Sequence, residues 1–300
     1  MFRLLRHLFL IWLFLSAAAL APALVIATYN LENYLVADRL VDGVYREAYP
    51  KPEGEKAAIH RVIAGMAPDI LAVQEMGGQA YLDEFQRELK RAGQDFPYTV
   101  LLEGPDPDRH VAVLSKVRFK QVRRNTNVGL TYFGQKSAVK RGVLEITFAT
   151  EAGDFSLFVV HLKSRRTERP DDPESAIQRA QEAAAVRDLV LARFPNPAQA
   201  RFVICGDWND TRNSRPVRAL TRRGELALGE IVPASDSHGE TWTHLYRRED
   251  TYSRIDYFLV STALSSAVVG RRALIWDGPG AREGSDHRAV YVQLRLNPVR

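Results

Sequence analysis

Several short apolar runs in this chain give way to side chains that bind cations or move protons. Asn30 closes LVIATYN, Glu75 follows DILAVQ, and His161 closes DFSLFVVH. Asp207 and Asn209 follow RFVICG, and Asp286-His287 precede the last apolar run, RAVYVQLRL. Carboxylates and amides are oxygen ligands for hard divalent cations. Imidazole titrates near neutrality, which suits proton transfer. One polar residue at a strand end is ordinary turn chemistry. Five such ends in one chain are harder to explain that way. Gathered at one edge of packed sheets, they would form a single cleft.

The elements that must position them mix strands with helices. EKAAIHRVIAGM places Ile59, Val62, Ile63 and Met66 at helical spacing, with Gly65 and Pro68 expected to mark its exit. YLDEFQRELKRAG sets Leu82, Phe85 and Leu89 on one helical face, and residues 174–194 read as a long amphipathic helix. HVAVLSK is a short strand. RGVLEITFAT alternates Val143, Glu145 and Thr147 with Leu144, Ile146 and Phe148. DFSLFVVH is apolar on both faces, as in a strand covered by layers on both sides. Gly206 is expected to stop the strand before Asp207 and to permit a tight exit. Strands adjacent in sequence and strands separated by helices both occur, so a layered α/β architecture with mostly antiparallel or mixed sheets is expected.

The composition, 46% hydrophobic and 26% charged over 300 residues, excludes a disordered chain and supports a substantial core. No repeat, heptad pattern or low-complexity linker divides it. Arg3, Arg6 and His7 precede an apolar run and the small residues Ala17, Ala18, Ala19 and Ala21. That pattern reads as a secretory signal peptide over residues 1–21, with an uncleaved anchor as the alternative. Residues 22–300 would then be one exported domain, periplasmic or extracellular. Losing Arg3 and Arg6 lowers the formal net charge from +5 to +3. Basic pairs such as Arg123-Arg124, Lys140-Arg141 and Arg165-Arg166 are compatible with a phosphate-bearing substrate. The single cysteine, Cys205, excludes an internal disulfide and reads as a small core residue.

Taken in order, TYNLEN, VQE, HLKS, GDWND, RIDYF and GSDH resemble the endonuclease/exonuclease/phosphatase superfamily. This group includes secreted deoxyribonucleases, abasic-site endonucleases, sphingomyelinases and inositol-phosphate phosphatases. The resemblance implies a four-layer α/β sandwich, two face-to-face mixed β-sheets flanked by helices, with the active site at one sheet edge. It implies a divalent metal, usually Mg²⁺ with Mn²⁺ or Ca²⁺ as alternatives, held by Glu75 with Asn30 and near Asp286. Asn209 and Arg141 would contact the substrate phosphate. Asp207 would hold or deprotonate the attacking water. His287, oriented by Asp256, would activate water or brace the phosphoryl oxygen. His161 would protonate the leaving oxygen or bind phosphate, with Asp108 its expected acidic partner.

The implied activity is a secreted Mg²⁺-dependent phosphodiesterase, with nucleic acid the expected substrate. Tyr132, Phe133 and Trp242 are candidate stacking groups for bases. A phospholipid or small phosphoester is the alternative, although sphingomyelinases generally carry an exposed apolar hairpin and none is evident in the sequence. No obligate protein partner is evident.

Overall fold

Two mixed β-sheets meet face to face. The computed structural model describes residues 23–167 and 169–296, so the expected signal peptide lies outside the described residues. Thirteen strands build the two sheets. They are β1 (Leu24–Tyr34), β2 (Ile70–Met76), β3 (Tyr98–Leu102), β4 (His110–Ser115), β5 (Phe119–Asn125), β6 (Val143–Phe148) and β7 (Phe155–His161), followed by β8 (Phe202–Asp207), β9 (Glu230–Ile231), β10 (Ala234–Ser235), β11 (Asp256–Val260), β12 (Ala273–Ile275) and β13 (Val290–Leu294). The first sheet runs β10-β12-β13-β1-β2-β4-β3, and the second β9-β11-β8-β7-β6-β5.

Ile26, Ile70, Val113, Leu144, Ile146, Leu157, Val203 and Val292 fill the space between the sheets. Helices α1 (Glu53–Met66) and α2 (Gln79–Arg91) cover the outer face of the first sheet through Ile59, Val62, Ile63, Leu82, Phe85 and Leu89. Helices α3 (Ala176–Arg193) and α4 (Arg215–Thr221) cover the second through Val186, Val190, Val217 and Leu220. Helix, sheet, sheet and helix make the expected four layers. No helix among the described residues is long and apolar enough to cross a membrane.

Three local expectations are corrected. Gly65 does not end α1, which closes on Ala67 in the left-handed conformation with its N–H bonded to the Ile63 carbonyl. Gly65 instead makes room for the Trp276 ring, which a Cβ there would approach to 2.2 Å. Gly206 does not stop β8 either. It lies inside the strand at φ +134°, where a Cβ would stand 1.9 Å from the Val160 carbonyl oxygen of β7. Its role is close strand approach rather than a turn. The long helix begins at Ala176, later than the pattern predicts, because Glu174 and Ser175 adopt left-handed φ. Asp172 caps it by accepting from the N–H groups of Ile177 and Gln178.

Cys205 lies fully buried between the sheets, and burial pushes its thiol up to about 12.

Candidate active site

Register brings the second sheet's contribution together. β7 and β8 are parallel with His161 opposite Asp207, and β8 and β11 are antiparallel with Asp207 opposite Asp256. Three chemical groups separated by up to 95 positions therefore share one row across three strands. Strand geometry places neighbouring backbones about 4.8 Å apart, so this row is held stiffly. Past the row, Trp208 turns inward, fully buried against Tyr257 with ring centroids 4.9 Å apart. Asn209 then turns back toward Asp207 with φ 54°.

The first sheet supplies its groups through irregularity. The β1–β2 ladder shifts register after Asn30 and Gln74. Glu75 sits in that bulge at φ 59°, and Glu32 and Asn33 also adopt left-handed φ. Such conformations cost non-glycine residues about 1–3 kcal/mol each. Here they turn the Glu75 carboxylate into the cleft, where Oε2 accepts from the Asn33 N–H at 2.9 Å.

The two contributions meet at Asn30. Its Nδ2 donates to Asp207 Oδ2 at 3.0 Å and to Glu75 Oε1 at 3.4 Å. Asp207 also accepts from the backbone N–H of Asn209 at 2.7 Å and from its Nδ2 at 3.1 Å. Asn209 Nδ2 bonds the Leu162 carbonyl as well, so its first task is to fix Asp207. The ion-pair partners of Glu75 and Asp207 among the described residues are imidazoles: His161 Nε2 stands 3.9 Å from Glu75 and 3.5 Å from Asp207. The Glu75 and Asp207 carboxylates fit a hard divalent cation; Asn30 presents Nδ2 to both while its Oδ1 accepts from the Glu32 N–H at 3.0 Å, so it would offer that oxygen to a cation only with the amide turned.

His287 faces the same carboxylate from the other side, with Nε2 3.8 Å from Asp207 Oδ2. Its Nδ1 is hydrogen-bonded to Asp256 Oδ2 at 2.9 Å, the expected orienting contact. Burial works against a charged ring, but Asp256, Asp207 and Asp286 outweigh it and hold His287 well above the usual imidazole range. His161 goes the other way. Burial, then the positive charges of Arg141, His287, Arg109 and Lys163, hold it well below that range. Burial also pushes the Asp207 carboxyl up, against the pull of His287.

The profile of the Endonuclease/Exonuclease/phosphatase family matches residues 27–287, nearly the whole described chain. The chain belongs to that family. Its members are metal-dependent phosphoesterases, and its fold recurs in solved structures of low identity. Sphingomyelinase C from Streptomyces griseocarneus is 18% identical, with TM-score 0.62 over 91% of this chain and 99% of that one. The human nocturnin catalytic domain with bound sulfate is 18% identical, with TM-score 0.60 over 92% and 95%. A mutant beta toxin from Staphylococcus aureus with bound magnesium ions is 14% identical, with TM-score 0.59 over 90% and 99%. No curated protein matches the sequence.

Within this family member, other groups join the cleft. Asp286 reaches it beside His287 (3.9 Å) and donates its N–H to Glu32 Oε2 at 2.8 Å. Arg141 is buried and ion-paired with Asp106 at 3.0 Å, while its Nη1 has no hydrogen-bond partner among the described residues. The loop acid expected to serve His161 does not do so. Asp108 is exposed, whereas Asp106 is buried on Arg141 and accepts from the N–H groups of Asp108 and Arg109. His161 Nδ1 has no partner among the described residues. An acid two residues earlier thus orients the arginine and leaves the histidine alone.

Sequence reasoning gave Glu32 no role, although it falls in the polar end TYNLEN of the first strand, and missed Lys51 and His244. Buried Lys51 donates to the Glu32 carbonyl at 3.0 Å and pairs with Glu55 at 2.9 Å, tying α1 to the end of β1. It also missed an exposed apolar hairpin, Ala37–Val41 with Val44–Tyr49, where Leu40 is 69% exposed and Tyr45 62%. The Asp42-Gly43 turn between apolar residues was its signal.

Proposed function

We propose that this protein is a metal-dependent phosphodiesterase that hydrolyses nucleic acid strands. The observation that carries the reading is buried Arg141, whose Nη1 has no hydrogen-bond partner among the described residues and whose charge, with those of Arg109 and Lys163, bears on His161. Positive charge at the site favours an anionic strand with phosphates on both sides of the scissile one over a head group that offers one phosphate beside a cationic choline. Arg141 fits a non-bridging phosphate oxygen because its Nη1 is unspent in a buried site.

A divalent ion held by Glu75 and Asn30, with Asp286 nearby, would supply Lewis-acid stabilisation of charge on the phosphate. The chain's own groups do the rest. Asp207, raised by burial and gripped by Asn30 and Asn209, holds the attacking water and accepts its proton. His287 is charged by its carboxylate neighbours and braces the phosphoryl oxygen as a donor, with Asp256 fixing the ring. Neutral His161 donates from Nε2 toward the leaving side rather than acting as a charged acid. Export through residues 1–21 would place this activity outside the cytoplasm.

The second reading is a lipid phosphodiesterase. The exposed hairpin bearing Leu40, Val44 and Tyr45 favours it, because a convex apolar tip suits a bilayer surface.

One assay separates the two. The chain spanning residues 22–300 is incubated with Mg²⁺, with and without chelator, on supercoiled plasmid, RNA, bis(p-nitrophenyl) phosphate and sphingomyelin vesicles. Chelator-sensitive cleavage of plasmid or RNA, lost in His287→Ala, is expected. Release of phosphocholine with both nucleic acids intact overturns the nuclease reading in favour of the lipid one.

A further inference from the structure

Asp286 lies between two imidazoles. His244 Nε2 is 3.5 Å from its Oδ2, and His287 Nε2 is 3.9 Å from its Oδ1. The first is at the outer limit of a hydrogen bond and the second exceeds it, so neither imidazole is held to the carboxylate by a short hydrogen bond. The two separations are close to another geometry. Ligand atoms bonded at about 2.0–2.1 Å to a tetrahedral ion stand roughly 3.3–3.5 Å from one another. One ligand atom from each of His244, Asp286 and His287 lies within 4.8 Å of the other two, so side-chain shifts of about an ångström would let all three share one cation.

The surroundings hold this arrangement. His244 and His287 form an isolated backbone bridge, and the Leu245 N–H donates to the Asp286 carbonyl at 2.9 Å. Their rings are 4.7 Å apart between centroids. Ser253 Oγ lies 3.4 Å from His244 Nδ1, the nitrogen that does not face Asp286. A hydroxyl at Nδ1 orients the ring with Nε2 toward the carboxylate, as partners behind metal-bound histidines do. The Asp286 backbone is pinned in turn by Glu32.

Two nitrogen donors and one carboxylate are a poor set for Mg²⁺ and a good one for Zn²⁺ and its neighbours. We propose that His244, Asp286 and His287 form a site for a Zn²⁺-class ion that switches the enzyme off. This site shares only Asp286 with the oxygen-lined site of Asn30 and Glu75. Its occupant would bind His287 Nε2, the atom that otherwise faces Asp207 and the phosphoryl oxygen. The inhibitory half rests on the phosphodiesterase reading, whereas the binding half stands without it.

The test has two arms. In the first, Zn²⁺ and Co²⁺ are titrated into metal-free protein, with a chromogenic chelator as competitor for Zn²⁺ and the absorption spectrum as readout for Co²⁺. Wild type is expected to bind one more ion than His244→Gln, with a Co²⁺ spectrum that changes when the imidazole is lost. Ser253→Ala, which keeps all three ligands, should retain that ion with weaker affinity. In the second arm, Zn²⁺ is added to Mg²⁺-supported turnover of bis(p-nitrophenyl) phosphate, each variant being scaled to its own uninhibited rate. The inhibitory midpoint should rise at least tenfold in His244→Gln. Equal stoichiometry and spectra in wild type and variant overturn the site. Loss of the extra ion with no change in midpoint overturns the switch. A protein that turns over nothing still answers the first arm, so failure of the activity and failure of the site are distinguishable.

Discussion

His161 and His287 are both buried, both face Asp207, and carry protons with opposite tenacity. His287 has carboxylates on three sides and a hydrogen bond from Nδ1 to Asp256. His161 has Arg141, Arg109 and Lys163 around it and no partner for Nδ1 among the described residues. Desolvation disfavours the charged form of either ring: at His161 it dominates and the nearby positive charges add to it, whereas at His287 the carboxylates outweigh it. The difference teaches that one cleft can present a cationic donor and a neutral donor from the same residue type.

The largest expected effect tests which ring matters more. His287→Ala should lower kcat by about 10³-fold or more on a small diester, and His161→Ala by about 10²-fold. Equal losses would erase the distinction. Next comes the orienting acid. Asp256→Asn should lower kcat by about 10²-fold and move the alkaline limb of the pH–rate profile to lower pH, because His287 loses its strongest source of proton affinity. A profile unchanged in shape would break the link between the two residues. On the other side, Arg141→Met should raise KM by about tenfold and move the His161 titration toward the ordinary range of about 6.5.

Metal-free stability gives the smallest and sharpest signature. His287 binds its proton more tightly when folded. Its stabilising share is full below about pH 6.5 and is lost as pH rises through the higher folded value. His161 binds its proton less tightly when folded. Its share is full above about pH 6.5 and is lost as pH falls toward the lower folded value. Thermal melts in chelator should therefore show His287→Gln flattening the alkaline decline and His161→Gln flattening the acid one. The reverse pattern would overturn both assignments.

The row of His161, Asp207 and Asp256 was legible in the sequence because each of its members sits beside a strand pattern: Asp207 after VICG, Asp256 before YFLV, His161 after LFVV. The four-layer fold was legible only through the ordered motifs, since the apolar runs alone allow several layered arrangements. Asp106 and Asp108 could not be told apart, because a loop has no period to assign a direction to its side chains. Glu32, Lys51 and His244 were hidden for another reason. Their telling partners, Asp286 for Glu32, the Glu32 carbonyl for Lys51 and Asp286 for His244, are set by chain crossings that no local spacing encodes. Gly206 was placed at the right point for the wrong reason: its need comes from the neighbouring strand, which a single segment does not reveal.

The buried Cys205 thiol has a practical consequence. A group shielded between two sheets and raised to about 12 will not react with maleimides at neutral pH. A cysteine introduced at Tyr45 on the exposed hairpin would then be the sole reactive handle in the chain spanning residues 22–300. An environment-sensitive dye placed there would report, without a cysteine-free background, whether that ribbon meets lipid, nucleic acid or only solvent.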